Sequence, residues 1–420
     1  MNIVIINKSD TTGGAAIVSM RLLNALREAG HNARMLVAER KSDSPYVEKI
    51  ASGFRLKSAF IADRIPMAYH NGMSRSTLFK IDGAIWGIDI TSNPLVQSAD
   101  AIFINWINQG VLSLEDIYDL SKLGKKIIWT MHDMWNFTGI CHHAGDCNRY
   151  IYPLQCGLCP LLRERWWNKN PSFFDLSYQT FLRKLCLYKL VDITFVAVSS
   201  WLEQCARQST LLKNQKIKRI PNAFPLPDIK DIHRTESAGR IRLIFAAARV
   251  DDDIKDFSTL KEALRYISEH HPEIAEKMEI TIIGGIKNRS LLKKFPISMQ
   301  YRGTVNDQKE MQRAYQSSDI VISSSEFETL PGTLIEGQAY GAIPVAFDRG
   351  GQRDIITPGE TGCLAQWDSA PEKRAESLAK AIIEAVSMLG TPDLHLRLYR
   401  NVADRFSPQA VAYKYLDLII

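Results

Sequence analysis

No run of eighteen apolar residues occurs anywhere in the 420-residue chain, which argues against membrane-spanning helices. The opening Met1-Asn2-Ile3-Val4-Ile5-Ile6-Asn7 has neither the charged start nor the long apolar stretch of a secretion signal. A cytoplasmic location is therefore expected, with peripheral contact at the inner face of the cytoplasmic membrane compatible with it. Cysteine is scarce and odd in number, seven in all, so a disulfide framework is a poor account of a reduced chain. Charge of one sign is in small excess: 52 Lys and Arg against 46 Asp and Glu leave +6 and a pI near 8.8. That balance suits anionic ligands or a membrane surface, and no nucleic-acid partner is expected. What is present is an ordinary globular mixture, 45% apolar and 23% charged, at a length that suits two domains.

The most informative stretch runs from Ser323 to Asp348: an apolar run, Asp319 to Ser323, comes before it and a second, Ile343 to Phe347, follows Gly341, so the whole reads as strand, loop, helix, strand. Its loop, Thr329-Leu330-Pro331-Gly332-Thr333, stands where a helix begins, so the amides of Gly332 and Thr333 are candidates for facing an anion. Glu328 and Glu336 bracket that loop, with Glu336 expected on the helix's first turn. Two carboxylates for hydroxyl groups and amides for phosphate would suit a polyhydroxylated, phosphate-bearing ligand. An ordinary βα unit carrying two glutamates is the competing reading.

The same pattern opens the chain. Ile3 to Asn7 reads as a strand, a polar loop ends in Gly13-Gly14, and a helix follows from about Ala15 to Ala29. The full dinucleotide fingerprint is lacking, but two glycines allow close backbone approach to a ligand. Strand Lys126 to Met131 delivers His132 and Asp133 at its carboxyl end, the edge where open α/β sheets bind ligands. Ser113 and Asp116 are spaced as a capping box. Arg40 to about Leu95 has poor periodicity and reads as an insertion of short helices, either a solvated helical cap, the favoured reading, or a basic, aromatic-containing surface for a membrane or an anionic acceptor.

Cys141, Cys147, Cys156 and Cys159 cluster within about twenty residues of one loop, and four thiolates suit a tetrahedral structural zinc. An iron–sulfur cluster and four unligated thiols are the alternatives. Arg163 to Lys169 sets Trp166 and Trp167 among basic residues, a composition suited equally to lipid headgroups and to capping the cysteine loop.

Pro221, Pro225 and Pro227 and a charged stretch to Arg240 read as a linker, after which strands and helices alternate again. The expected domains are 1–225, which carries the cysteine-rich insertion near 141–159, and 241–400, joined by 226–240. A C-terminal helix in 401–420 is expected to pack back on the first domain. At the end of the second domain's first strand stand Arg249 and Lys255, two cations suited to a diphosphate, or to surface salt bridges.

These residues together resemble the retaining glycosyltransferases of family 4. The resemblance runs nearly end to end and rests on Gly13-Gly14, His132-Asp133, Pro221-Asn222, Arg249 with Lys255, Arg302-Gly303, Glu328 with Glu336, and Gly350-Gly351. The segment from Trp129 to Pro160 is similar to a subgroup of bacterial polysaccharide and colanic-acid-type biosynthesis enzymes. The implied fold is GT-B, α/β, with two facing Rossmann-like doubly wound domains and an interdomain cleft. The implied donor is a nucleotide-diphosphate sugar, the acceptor a saccharide or lipid-linked saccharide, and catalysis needs no metal cofactor. By this resemblance Arg249 and Lys255 neutralise the departing diphosphate with the Gly332 and Thr333 amides, Glu336 holds ribose, and Glu328 holds the sugar. His132 contacts the donor sugar near the reacting carbon, Gly13 and Gly14 line the phosphate or acceptor side, and Val305 and Asn306 lie by the base. The chain departs from the family at Asp256, where glycine is common, in one extra residue between Arg249 and Lys255, and in Thr329-Leu330-Pro331. A nucleotide-sugar epimerase of the same fold and a non-catalytic sugar-binding protein are the other function classes considered.

Overall fold

The computed structural model describes residues 1–153, 156–162, 175–232 and 239–419. The Trp166-Trp167 segment and part of the expected linker lie outside these residues. The chain divides into two compact units, Met1–Ala223 with Pro408–Ile420, and Phe224–Ser407.

Seven strands build the first unit's sheet: β1 (Asn2–Ser9), β2 (Asn32–Glu39), β3 (Val47–Lys49), β4 (Ala101–Ile104), β5 (Lys126–Met131), β6 (Ile193–Ala197) and β7 (Lys216–Arg219). Six build the second: β8 (Ile241–Arg249), β9 (Met278–Gly285), β10 (Ser298–Gly303), β11 (Ile320–Ser323), β12 (Ile343–Phe347) and β13 (Cys363–Ala365). The orders are β3-β2-β1-β4-β5-β6-β7 and β10-β9-β8-β11-β12-β13. Every pairing is parallel. Each sheet therefore runs outward from its first strand in one direction and then in the other, the winding of a Rossmann-like α/β domain.

The interior strands β4 and β12 bury every residue. Crossover helices cover both faces of such a sheet, and the strands carry no polar alternation. The edge strand β7 instead exposes Lys216, Lys218 and Arg219, charges that discourage pairing with another chain. The helix Pro408–Leu416 packs Val411, Ala412 and Tyr415 into the first unit's core beside Ile3, Leu22 and Val37. Tyr415 Oη lies 2.9 Å from Thr130 Oγ1. Among the described residues no helix is long and apolar enough to cross a membrane.

Three elements differ from expectation. The Arg40 to Leu95 stretch contains one 18-residue helix, Gly53–His70, rather than several short ones. Its buried face includes Asp63 and Arg64 beside Ala59 and Met67, and charges in core positions erase the apolar period that marks a helix. Strands β3 and β13 have three residues each, too few to display an alternation. The Ser113–Asp116 capping box forms as the spacing predicts, with the Ser113 amide donating to Asp116 Oδ2 at 2.7 Å.

Candidate active site

Ligands of doubly wound sheets bind beyond the carboxyl ends of the strands, where the winding reverses. Those points are β1 with β4 in the first unit and β8 with β11 in the second.

In the second unit, β11 ends at Ser323 and leads into Ser324-Ser325-Glu326. Lys255, in a short turn after β8, hydrogen-bonds Glu328 Oε1 through its ammonium. Ser325 Oγ donates to the same oxygen at 2.8 Å. The backbones on both sides are fixed: Ser324 Oγ donates to the Lys255 carbonyl at 2.8 Å, and the Gly351 amide donates to the Glu328 carbonyl at 2.7 Å. Gly350 has φ 79°, and a Cβ there would stand 2.6 Å from that carbonyl oxygen. The pair is half-buried, so its charges are partly shielded from water and its geometry is set by main chain.

The departure at Asp256 has a structural reason. Its φ is 41°, in the left-handed region where glycine is at ease. Aspartate is among the few other residues tolerated there, and its carboxylate caps the following helix at the Thr259 amide while meeting Arg374 Nε at 3.0 Å. Arg249 is half exposed and lies 3.4 Å from Asp251. Asp251 in turn accepts the Lys287 and Asn288 amides at 2.8 and 3.0 Å.

The helix Gly332–Ala339 has no side-chain cap, which leaves first-turn amides, including those of Gly332 and Thr333, without that partner. Gly332 is also a steric requirement, since a Cβ would lie 2.9 Å from the Phe224 ring. Glu336 sits on the second turn of this helix rather than the first, because the helix begins at Gly332. Tyr315 Oη donates to Glu336 Oε2 at 3.3 Å. Val305 is half-buried and Asn306 exposed in the loop after β10.

In the first unit, Gly13 has φ 89° and precedes the helix Gly14–Glu28, which has no side-chain cap. A Cβ at Gly13 or Gly14 would meet nothing within 4 Å, so it is the backbone angle that requires glycine at 13. Ser9 Oγ accepts the Thr11 and Thr12 amides and shapes the loop.

His132 lies beyond β5, and its Nε2 is 2.8 Å from Asn105 Oδ1 beyond β4. With the amide oxygen as acceptor, Nε2–H donates. Burial pushes the His132 imidazolium down to about 4, so the ring is neutral near pH 7. Asp133 accepts Trp106 Nε1 at 3.0 Å, His142 Nδ1 at 2.8 Å and the Trp135 amide at 2.8 Å. Burial works against the Asp133 carboxylate, but the charge and hydrogen bond of His142 outweigh it and hold the group below the usual carboxylate range. Burial likewise works against the His142 imidazolium, and Asp133 outweighs it in raising that pKa. His142 also stacks on Trp106, with ring centroids 5.4 Å apart. Asn105, His142, Ser324 and Ser325 are partners that the sequence reading did not single out. For Asn105 and the two serines a position just beyond β4 or β11 is the signal that could have found them.

The four loop cysteines are free thiols, and the structure does not support a zinc site. Among the described residues no three His, Cys, Asp or Glu side chains gather in a way that could hold a metal ion. Cys156 Sγ accepts the Gly139 amide at 2.9 Å. Cys141 and Cys159 hydrogen-bond each other, and that bond lowers the Cys141 thiol to about 7. Burial pushes Cys156 up to about 12. The stapling expected of a metal is done by Lys184, buried in the helix Leu176–Leu190. Its ammonium donates to the Trp135, Thr138 and Gly139 carbonyls at 2.5, 3.1 and 3.1 Å. It also stands 3.4 Å from the Trp135 ring centroid.

Residues 241–387 match the family described as Glycosyl transferases group 1. The chain is 28% identical over 174 residues to a glycogen synthase of Bordetella petrii, covering 37% of this chain and 32% of that one. The matched stretch thus spans about a third of that relative's length. It is 20% identical to the putative colanic acid biosynthesis glycosyl transferase WcaC of Escherichia coli, over 63% of each chain. Among solved structures, the pneumococcal O-GlcNAc transferase GtfA, in complex with UDP and GlcNAc, is similar at a TM-score of 0.62 and 12% identity. That alignment covers 100% of this chain and 98% of that one, a likeness of fold.

Proposed function

We propose that the protein is a retaining glycosyltransferase that moves a sugar from a nucleoside-diphosphate sugar to a saccharide or lipid-linked saccharide in the assembly of a cell-surface polysaccharide. The observation that carries this reading is the Lys255–Glu328 pair at the reversal point of the second unit. There a cation for phosphate and a carboxylate for hydroxyl groups stand together on backbone fixed by Ser324 and Gly351. The match of residues 241–387 supports it, as does the UDP bound by a protein of similar fold.

In this reading Arg249, Lys255 and the Gly332 and Thr333 amides meet the diphosphate, Glu336 the ribose hydroxyls, and Glu328 the sugar hydroxyls. Val305 and Asn306 lie by the base. The neutral His132 ring takes a sugar hydroxyl, and the Gly13-Gly14 loop serves phosphate or acceptor. The acceptor oxygen attacks the anomeric carbon on the face the diphosphate leaves. The electron pair of the breaking carbon–oxygen bond stays on the phosphate oxygen, which takes the acceptor's proton. Charge grows on the leaving group as that bond lengthens, so fixed cations and amides stabilise the transition state more than the ground state. The reading carries with it a cytoplasmic location and catalysis without a metal cofactor.

A thermal-shift screen of nucleoside-diphosphate sugars tests it, since a ligand that binds the folded state raises its melting temperature. The donor so found should then be consumed only with an acceptor present, apart from slow hydrolysis. If Arg249→Ala, Lys255→Ala and Glu336→Ala all transfer sugar at the parent rate, the site is misassigned.

A further inference from the structure

A pocket of about 590 Å³ opens in the first unit beside the ends of β1 and β2. Its walls carry Lys8, Arg40, Lys41, Lys49 and Lys57 against one carboxylate, Glu39. That carboxylate is already 3.6 Å from Lys8. The floor is apolar and is made by Leu56, Phe60 and Ile61 of the helix Gly53–His70. At Gly110, which also lines the pocket, bare backbone passes against this helix: a Cβ there would stand 2.7 Å from the Ala59 carbonyl carbon. On the rim, Lys41 Nζ donates to Thr12 Oγ1 at 2.8 Å, so the pocket adjoins the loop that ends in Gly13-Gly14.

Cations around an apolar floor make a poor site for a neutral sugar, which needs matched donors and acceptors. They equally make more than an inorganic anion requires. The combination suits a molecule with an anionic head and an apolar body. The apolar body has a continuation outside. Ile61, at the pocket lip, is followed by Ile65 and Tyr69 at successive four-residue steps, and these three side chains are 55%, 61% and 61% exposed. Residues four apart share one helix face, so they form a row that leads from the pocket along the helix. Phe54, seven residues before Ile61 on the same face, is 82% exposed. Lys57 and Arg55 flank the row, both exposed.

We propose that this pocket binds the phosphate end of an amphiphilic, lipid-linked acceptor, and that the lipid chain lies along the Ile61–Ile65–Tyr69 row. The proposal rests on the transferase reading for the role of acceptor, whereas the binding it describes can be read without transfer.

Isothermal titration of the full chain with decyl phosphate, inorganic phosphate and decyl maltoside separates the contributions. Decyl phosphate is expected to bind, with inorganic phosphate at least about tenfold weaker and no saturable binding of decyl maltoside. Lys49→Glu and Lys57→Glu should each weaken decyl phosphate about tenfold, and Ile65→Ser about threefold. All three side chains are exposed, so melting temperatures should stay at the parent value, and nucleotide-sugar affinity should be retained. Equal affinity for decyl phosphate and inorganic phosphate would overturn the lipid part, and equal affinity for decyl phosphate and decyl maltoside the phosphate part. Absence of decyl phosphate binding, or indifference to Lys57→Glu, would overturn the whole. If donor binding persists in that case, the acceptor site alone falls; if donor binding fails while decyl phosphate binds, the transferase reading falls instead.

Discussion

Ser325 Oγ donates to Glu328 Oε1 at 2.8 Å, the same oxygen that Lys255 engages. One carboxylate oxygen thus has two partners from two different loops, and its direction is set before any ligand arrives. In the proposed reaction the two residues divide the work: Lys255 meets the growing negative charge, while Glu328 orients the sugar. Lys255→Ala should lower kcat by about 100-fold or more, in the range for loss of a fixed group that stabilises transition-state charge. Ser325→Ala should cost less than about tenfold, because Lys255 still holds the carboxylate. Steady-state kinetics with the identified donor checks the order, and a Ser325→Ala defect as large as that of Lys255→Ala would contradict the division.

His132 should not appear in the pH profile at the usual histidine position. Burial holds its imidazolium near 4, so the ring is neutral from about pH 5 upward and gains a proton only below that. The profile of kcat/KM should therefore show no inflection near 6.5 that His132→Gln removes. His132→Gln should retain more activity than His132→Ala, since an amide can replace a neutral hydrogen-bonding ring but a methyl group cannot.

Much of this arrangement was legible in the sequence. Parallel strands buried on both faces are continuous apolar runs, so β5 and β12 begin and end at the predicted residues and β11 ends at the predicted Ser323. The strand ends follow from the alternation of strands and helices, which is why Arg249 closes β8 and Gly13, His132 and Glu328 follow the ends of β1, β5 and β11. Side-chain partners are another matter. Asn105 and His132 are 27 residues apart and meet only because β4 and β5 are neighbours in the sheet. Lys184 is less legible still, as a lysine in a helix ordinarily faces water, and nothing local shows that three carbonyls from another segment await it. Counting four cysteines suggested a metal where the structure uses an ammonium.

That ammonium gives a stability prediction. Lys184→Met keeps the apolar stem but leaves the Trp135, Thr138 and Gly139 carbonyls without their shared donor. A buried acceptor that loses its partner costs about 1–3 kcal/mol. The variant should lose at least that much in denaturant unfolding. Burial pushes Lys184 down to about 7, yet three carbonyl acceptors need all three protons of the charged form. Lys184→Arg should not rescue, because the planar guanidinium cannot copy a compact three-way donor.

Asp63, buried in the Gly53–His70 helix, is expected to make stability depend on pH. Burial, aided by the Asp82 charge, pushes its carboxyl up to about 6, against the opposing pull of Arg64. An acid whose folded pKa is raised binds its proton more tightly folded than unfolded, so this group's contribution falls as pH rises from about 4 to 6. The slope is at most about 1.4 kcal/mol per pH unit. In that window Asp63→Asn, which stays neutral, should be less pH-sensitive than the parent. The difference between the two unfolding free energies, measured from pH 4 to 7, isolates the group from other carboxylates. A parallel pair of curves would show that Asp63 does not titrate there.

Gly350 and Gly359 make a matched pair for testing whether the loop after β12 holds Glu328 in place. Both have left-handed backbone, φ 79° and 75°. An alanine at Gly359 meets nothing within 4 Å, so Gly359→Ala should cost about 1 kcal/mol from the backbone angle alone. At Gly350 the same methyl group would also stand 2.6 Å from the Glu328 carbonyl oxygen and 2.9 Å from its amide nitrogen. Neither is a flexible side-chain end, so the Glu328 backbone must move and carry its carboxylate away from Lys255 and Ser325. Gly350→Ala should therefore lose stability beyond the Gly359→Ala value and also lower kcat by about tenfold or more. Gly359→Ala should leave kcat near the parent value. Equal stability losses and equal kcat in the two variants would mean that the contact between Gly350 and Glu328 does not position the carboxylate.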